Sequence, residues 1–145
     1  MNTISIEITQ TPDPKDSKHI SQGIVNFNQA MIPDLEPIEA EVKFFAFARN
    51  QEGEVIGGIR ATCYWNTLHI KLLWLDQNYR GQGMGQQLLK QTEQFAPKHD
   101  CQKALVETTS WQAKPFYEKA GYNHIATIND RPKGHASHYL TKELD

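Results

Sequence analysis

Between Arg80 and Leu89 the chain reads RGQGMGQQLL, three glycines on alternate positions shortly after the apolar run LLWL and directly before a helical pattern. Few arrangements accommodate that order. A loop so poor in side chains, set between a strand and a helix, lets a ligand approach the backbone closely. The following helix aims its unpaired N–H groups and positive dipole end at the same place, which suits a phosphate. Two common nucleotide-binding patterns do not match. G-x-x-x-x-G-K-S/T is absent, and G-x-G-x-x-G would need glycine where Gln86 stands. Taken alone, the loop reads equally well as a tight strand-to-helix turn whose glycines serve packing.

Around that loop the hydrophobic pattern alternates between strand and helix periods, which marks an α/β chain. TISIEIT alternates Ile4, Ile6 and Ile8 and predicts a first strand. After the breaker TPDPKD, an amphipathic stretch from Ser17 (Ile20, Ile24, Val25, Phe27, Met31) predicts a helix to Ile32, stopped by Pro33. VKFFAFARN, EVIGGIRATCYW and TLHIKLLWL predict three strands, and the short turns at NQEG and WNT make them an antiparallel meander. A helix follows the glycines to about Ala96, broken by Pro97. KALVETT is then a strand and KPFYEKAGY a short helix, and two strands close the chain near Asn123 to Ile128 and His138 to Leu144. The expected architecture is a mixed, largely antiparallel sheet of about seven strands with flanking helices. With 145 residues and no repeat, linker or low-complexity segment, one domain over 1–145 is expected.

Two stretches carry a resemblance to a known family. LWLDQNYRGQGMGQQLL is similar to the acyl-CoA signature R/Q-x-x-G-x-G/A of the GNAT superfamily of N-acyltransferases, with Arg80, Gly83 and Gly85 at its fixed positions. SWQAKPFYEKAGY resembles the family's N-x-x-A-x-x-L/F-Y-E/D-x-x-G-F/Y stretch at Ala113, Phe116, Tyr117, Glu118, Gly121 and Tyr122. Both occur in the family's order, about 30 residues apart, with a helix and a strand between them. The closing PKGHASHYLTKEL resembles the tail of small bacterial members. Ser110 stands where the family often has Asn, and Gln77 where it often has Pro.

The resemblance covers nearly the whole chain and implies the GNAT fold, with the sheet splayed between its fourth and fifth strands. It also implies acetyl-CoA as acyl-donor cosubstrate. On it, the strand ending at Trp74, Leu75 and Asp76 diverges from the strand of Leu105 to Thr108, and the pantetheine arm lies between them. Arg80 and the N–H groups of Gly81, Gln82, Gly83, Met84, Gly85 and Gln86 meet the pyrophosphate, Ser110 contacts the cofactor, and Leu75 N–H polarises the thioester carbonyl. Tyr117 is implied as proton donor to the departing thiolate and as a cofactor contact; a tyrosine packed on the sheet is the plainer reading of its helix. The implied activity is acetyl transfer to a primary amine by direct attack in a ternary complex. A non-catalytic acyl-CoA-binding or sensing module is the alternative.

Glu107 is a carboxylate in a mostly apolar strand, and facing a cleft it could take the proton of the incoming ammonium. An ion pair or a solvated strand face explains it equally well, and Asp76 or water are the other candidate bases. His135 and His138 lie three apart, which on a strand places them on opposite faces, and with no third ligand evident no metal is expected. The acidic run Asp34, Glu36, Glu39 and Glu41 could attract a cationic amine or be a solvated loop. The resemblance implies a small-molecule or peptide amine as acceptor without choosing between them. A formal charge of -2 argues against a nucleic-acid partner. No run of about 18 apolar residues suggests a membrane span, and no signal peptide is evident, so a cytoplasmic location is expected. Cys63 and Cys101 are expected to be reduced and structural. A homodimer is left open.

Overall fold

The computed structural model describes residues 3–145. They fall into two compact units, divided between Glu36 and Pro37.

In the first unit, the Asp13 carboxylate accepts a hydrogen bond from Lys15 N at 2.9 Å and so starts helix α1 (Pro14–Met31). The helix begins three residues ahead of Ser17 because Pro14, a breaker within a helix, is favoured in the first turn, where no N–H is required. Ile32 N still reaches Asn28 O at 2.9 Å before Pro33 ends the run. Ile20, Ile24, Phe27 and Met31 form an exposed apolar stripe. The expected strand at residues 3–9 does not form, and Ile4, Ile6 and Ile8 are 89%, 87% and 92% exposed. Alternation decides which face a strand buries, but only ladder hydrogen bonds and a covered face offset the entropy of ordering it. These residues have neither.

The second unit holds a six-stranded sheet: β1 (Val42–Arg49), β2 (Val55–Tyr64), β3 (Thr67–Leu75), β4 (Lys103–Thr109), β5 (Asn123–Asn129) and β6 (Ala136–Glu143), in the order β1-β2-β3-β4-β6-β5. The count is six because the N-terminal strand is missing, so the expected fourth and fifth strands are β3 and β4. Every neighbouring pair is antiparallel except β3 and β4. Turn chemistry sets the meander. Asn50 Oδ1 accepts from Glu52 N and Glu54 N at 3.0 and 2.9 Å, and Trp65 and Asn66 both take φ 49, a two-residue turn whose twist matches its strands.

A parallel pair needs a crossover. Helix α2 (Met84–Phe95) and the 3-10 turn Ala96–His99 supply it. Leu88 and Leu89 of α2 pack with Ile59, Leu68, Ile70, Val106 and Leu140 of the sheet into one core, together with Tyr117 of helix α3 (Lys114–Lys119). Glu93 of α2 accepts from Tyr122 Oη at 2.7 Å and Lys142 Nζ at 2.9 Å, which fastens α2 to β6 and the end of α3. Pairing between β3 and β4 runs only from Thr67 opposite Lys103 to Ile70 opposite Val106, although β3 continues to Leu75 and β4 to Thr109.

Candidate active site

Where β3 and β4 stop pairing, a cavity of about 870 Å³ opens, lined by Lys71 to Leu75 on one side and Val106, Glu107 and Thr108 on the other. Its β3 wall is main chain looking for partners. Asp76 N donates to Ile56 O at 2.8 Å, so Ile56 and Asp76 are a hydrogen-bonded pair. By the alternation of antiparallel ladders, Gly57 and Leu75 are then a non-hydrogen-bonded pair. Leu75 therefore turns its N–H and C=O away from β2 and towards the gap, as Leu73 does two residues earlier. Arg80 Nε donates to Leu75 O at 2.9 Å, in keeping with that direction.

One end of the cavity is the glycine loop. Gly81 and Gly83 lie at φ 78 and 81, the left-handed region that costs glycine little, and a Cβ at either would meet nothing within 4 Å. Conformation, not crowding, demands glycine there, and the space in front of the loop stays open. Gly83 caps α2 without a side chain, so the first N–H groups of the helix, at Met84, Gly85 and Gln86, have no intrahelical partner and face the positive dipole end. Gly85 has a different reason: its Cβ would stand 3.3 Å from the Phe116 ring.

Tyr117 lines the same cavity from α3. It is 4% exposed, its ring sits edge-on to Phe116 and Tyr122 at 5.2 and 5.5 Å, and burial pushes its phenol up to about 12. Its hydroxyl makes no hydrogen bond among the described residues. Of the other expected site residues, Trp74, Leu75, Arg80, Gly81, Gly83, Met84, Gly85 and Gln86 line the cavity, whereas Asp76, Gln82 and Ser110 do not. The Asp76 carboxylate accepts from Asn78 N at 2.9 Å and caps the 3-10 turn Gln77–Tyr79. Ser110 Oγ accepts from Ala136 N and meets His135 Nδ1, both at 3.2 Å, which ties the loop after β4 to β6.

Glu107 lines the cavity and directly faces Tyr139 in the β4–β6 register. Arg131 Nη1 donates to Glu107 Oε1 at 3.0 Å. The hydrogen bond from Tyr139, followed by the hydrogen bond and charge of Arg131, holds the carboxyl below the usual carboxylate range against a partial desolvation. His69, whose Nδ1 lies 3.0 Å from Lys71 Nζ, is held below the ordinary histidine range by burial and then by Lys71, so its ring is neutral near pH 7. Ala104, Val106 and Thr108 point to the helix-covered side of the sheet with Tyr117, and Glu107 points to the other. The cavity lining thus draws residues from both faces of the sheet. Sequence reasoning singled out neither Arg131 nor Tyr139 nor His69; the cross-strand register that unites them has no local signal. Glu39 and Glu41 of the acidic run do not line the cavity, and Glu41 faces Lys43 at 3.9 Å. His138 Nδ1 meets Thr127 Oγ1 at 3.0 Å.

A short β3–β4 pairing, a glycine loop at a helix start and a buried tyrosine thus meet at one cavity of an α/β sheet. Residues 9–122 match the profile of the Acetyltransferase (GNAT) family, and the chain belongs to that family and is an acetyltransferase. It is 39% identical over 113 residues to the blasticidin-S acetyltransferase of Streptomyces morookaense, a match that covers 77% of this chain and 82% of that one. An acetyltransferase from Bacillus cereus superposes with a TM-score of 0.84 at 30% identity, over 95% of this chain and 98% of the other. The fold also matches, at a TM-score of 0.64 and 24% identity over 71% and 63% of the two chains, a Bacillus anthracis protein described as a streptothricin acetyltransferase and solved with acetyl coenzyme A. Among the described residues no helix is long and apolar enough to cross a membrane.

Proposed function

We propose that the chain transfers the acetyl group of acetyl-CoA to a primary amine of a small molecule, by direct attack with both reactants bound. The observation that carries this is the convergence, on one cavity, of outward main-chain groups at Leu73 and Leu75, unpaired N–H groups at the start of α2 and the buried Tyr117 hydroxyl. We read the interrupted β3–β4 pairing as the splay in which the pantetheine arm lies. The N–H groups of Gly81, Gly83, Met84, Gly85 and Gln86, with Arg80, bind the pyrophosphate, where the open space in front of Gly81 and Gly83 fits it. Acetyl-CoA presents an electrophilic carbonyl and a thiolate leaving group.

The chain's own residues do the rest. Leu75 N–H stabilises the charge that develops on the carbonyl oxygen, worth about 2 to 4 kcal/mol for one well-aimed donor. As the amine nitrogen bonds to the carbonyl carbon and the C–S bond breaks, the nitrogen sheds its second proton to solvent, while Tyr117 gives its proton to sulfur and regains one from solvent. Because burial pushes its phenol up to about 12, it enters each cycle protonated. Glu107, on the opposite face of the sheet, receives the amine as a cation and takes up its proton for release to water. Both compact units are read as one catalytic domain over 1–145, since the family match crosses the division between them.

The relative that acts on blasticidin S makes small amino antibiotics the first acceptors to examine. Free CoA is followed with a thiol reagent while acetyl-CoA is presented with blasticidin S, a polyamine and a lysine peptide. Release above the amine-free background with a small amine is the expected result. Stabilisation by acetyl-CoA without release anywhere in the panel favours the non-catalytic acyl-CoA module.

A further inference from the structure

Glu107 occupies the face of the cavity away from the helices, and what surrounds it is built with unusual care for a surface carboxylate. Arg131 Nη1 is shared between Glu107 Oε1 at 3.0 Å, Ser137 Oγ at 3.0 Å and Tyr139 Oη at 3.3 Å. Ser137 is buried, and its hydroxyl donates to Arg131 O at 2.9 Å, so its lone pairs are left to receive the guanidinium. The arginine comes from a locked turn. Gly134 N donates to Asp130 Oδ1 at 2.8 Å, His135 N to Pro132 O at 2.8 Å and Arg131 N to His135 O at 3.2 Å. Yet the Arg131 and Glu107 side chains are 51% and 38% exposed, and ion pairs that open to water contribute little to folding. Stability does not account for the arrangement.

We propose that Arg131 is a positioning residue for the acceptor half of the site: delivered by the turn between β5 and β6, it fixes the Glu107 carboxylate, with Tyr139, as the anion that receives a cationic amine. The inference rests on the acetyltransferase reading above and assigns its acceptor class, an amine that enters protonated. The groups facing Glu107 are Arg131 from the turn, Tyr139 from β6 and His69 from β3, with Lys71 beside His69. Of these, Arg131 supplies the fixed positive charge in direct contact, so its loss lets the carboxyl hold a proton at higher pH.

The test compares R131Q, R131K, E107Q and the double variant E107Q/R131Q in the full chain. Carbon-13 titration of the Glu107 carboxyl, assigned by its disappearance in E107Q, needs no acceptor. R131Q should move that titration upward by roughly half a pH unit or more, and R131K should restore most of it. With the most active amine of the panel, R131Q should lower kcat/KM about tenfold, mainly through KM, with acetyl-CoA affinity and melting temperature kept. The same change in the E107Q background should add less than about twofold, since the arginine acts through the carboxylate. An unmoved titration, or losses that multiply in the double variant, overturns the proposal. Absence of CoA release by the unaltered chain with every amine instead defeats the acetyltransferase reading, and the titration still reports on Arg131.

Discussion

The two ends of the cavity are made of different material. At the α2 end the groups offered to a ligand are main chain: the N–H groups of Met84, Gly85 and Gln86, left without partners because Gly83 caps the helix without a side chain. At the Glu107 end they are side chains drawn from β4, from a turn 24 residues later and from β6. A main-chain site is specified by backbone conformation and by the open space in front of it. A side-chain site is specified by register and tolerates exchange, one polar group at a time. The contrast predicts that damage at the first end removes donor binding outright, whereas damage at the second changes which amine is used and how fast.

Gly83→Glu should have the largest effect. It forces a non-glycine residue to φ 81 and places a negative charge where we propose that the pyrophosphate binds. Acetyl-CoA affinity is expected to fall by about 10³-fold or more, read by calorimetry on protein whose circular dichroism shows it folded. Unchanged affinity would break the assignment of the glycine end to the donor.

Next comes Tyr117→Phe, which keeps the ring and removes only the hydroxyl. A drop in kcat of about 10- to 10³-fold with acetyl-CoA affinity and melting temperature preserved is expected for a proton donor. A packing tyrosine predicts instead a normal kcat here and a lower melting temperature in Tyr117→Ala. The sign of the pH dependence follows. Deprotonation of Tyr117 sets in only as pH rises towards about 12, and protonation of Glu107 only below the usual carboxylate range. Between those limits kcat/KM should stay level while the free amine is cationic and fall as pH rises through the amine's own ionisation, because the amine enters protonated. A rise in kcat/KM through the amine's ionisation would show instead that the neutral amine is the form that binds.

Glu107→Gln should be milder, lowering kcat/KM by about 10- to 100-fold for a cationic amine and leaving acetyl-CoA affinity intact. Equal losses for neutral and cationic amines would separate Glu107 from acceptor charge. The smallest effect belongs to Ser110→Ala. Its hydroxyl is occupied by Ala136 N and His135, so acetyl-CoA affinity should stay within about twofold while stability falls by about 1 kcal/mol, measured by denaturant unfolding. A tenfold loss of affinity would restore Ser110 as a donor contact.

The same contrast explains what could be read in advance. The glycine loop, the helix behind it and Tyr117 lie within short segments whose spacing is itself the signal, so the α2 end is legible in the sequence. The strands from Val42 onwards were legible too, because alternation and turn residues such as Asn50 act locally. Arg131 is not, because nothing in RPKGH marks it for a carboxylate that only the antiparallel pairing of β4 with β6 brings near. Ser110 and Asp76 were placed by motif position, and the structure gives their side chains to a loop tie and a turn cap. The N-terminal alternation in TISIEIT was misleading for a related reason, since a strand is a property of a pair and its sequence describes one member.

The interrupted pairing of β3 with β4 has a consequence for how such a chain can change over time. The N–H and C=O groups that Leu73 and Leu75 turn to the gap stay in place whatever side chains those positions carry. Point substitutions along that wall therefore leave the donor-facing pattern unaltered unless they insert proline or break the strand. Substitutions at Glu107, Tyr139 or Arg131 rewrite the opposite end directly. A protein organised this way can drift from one acceptor to another while its acyl donor stays the same.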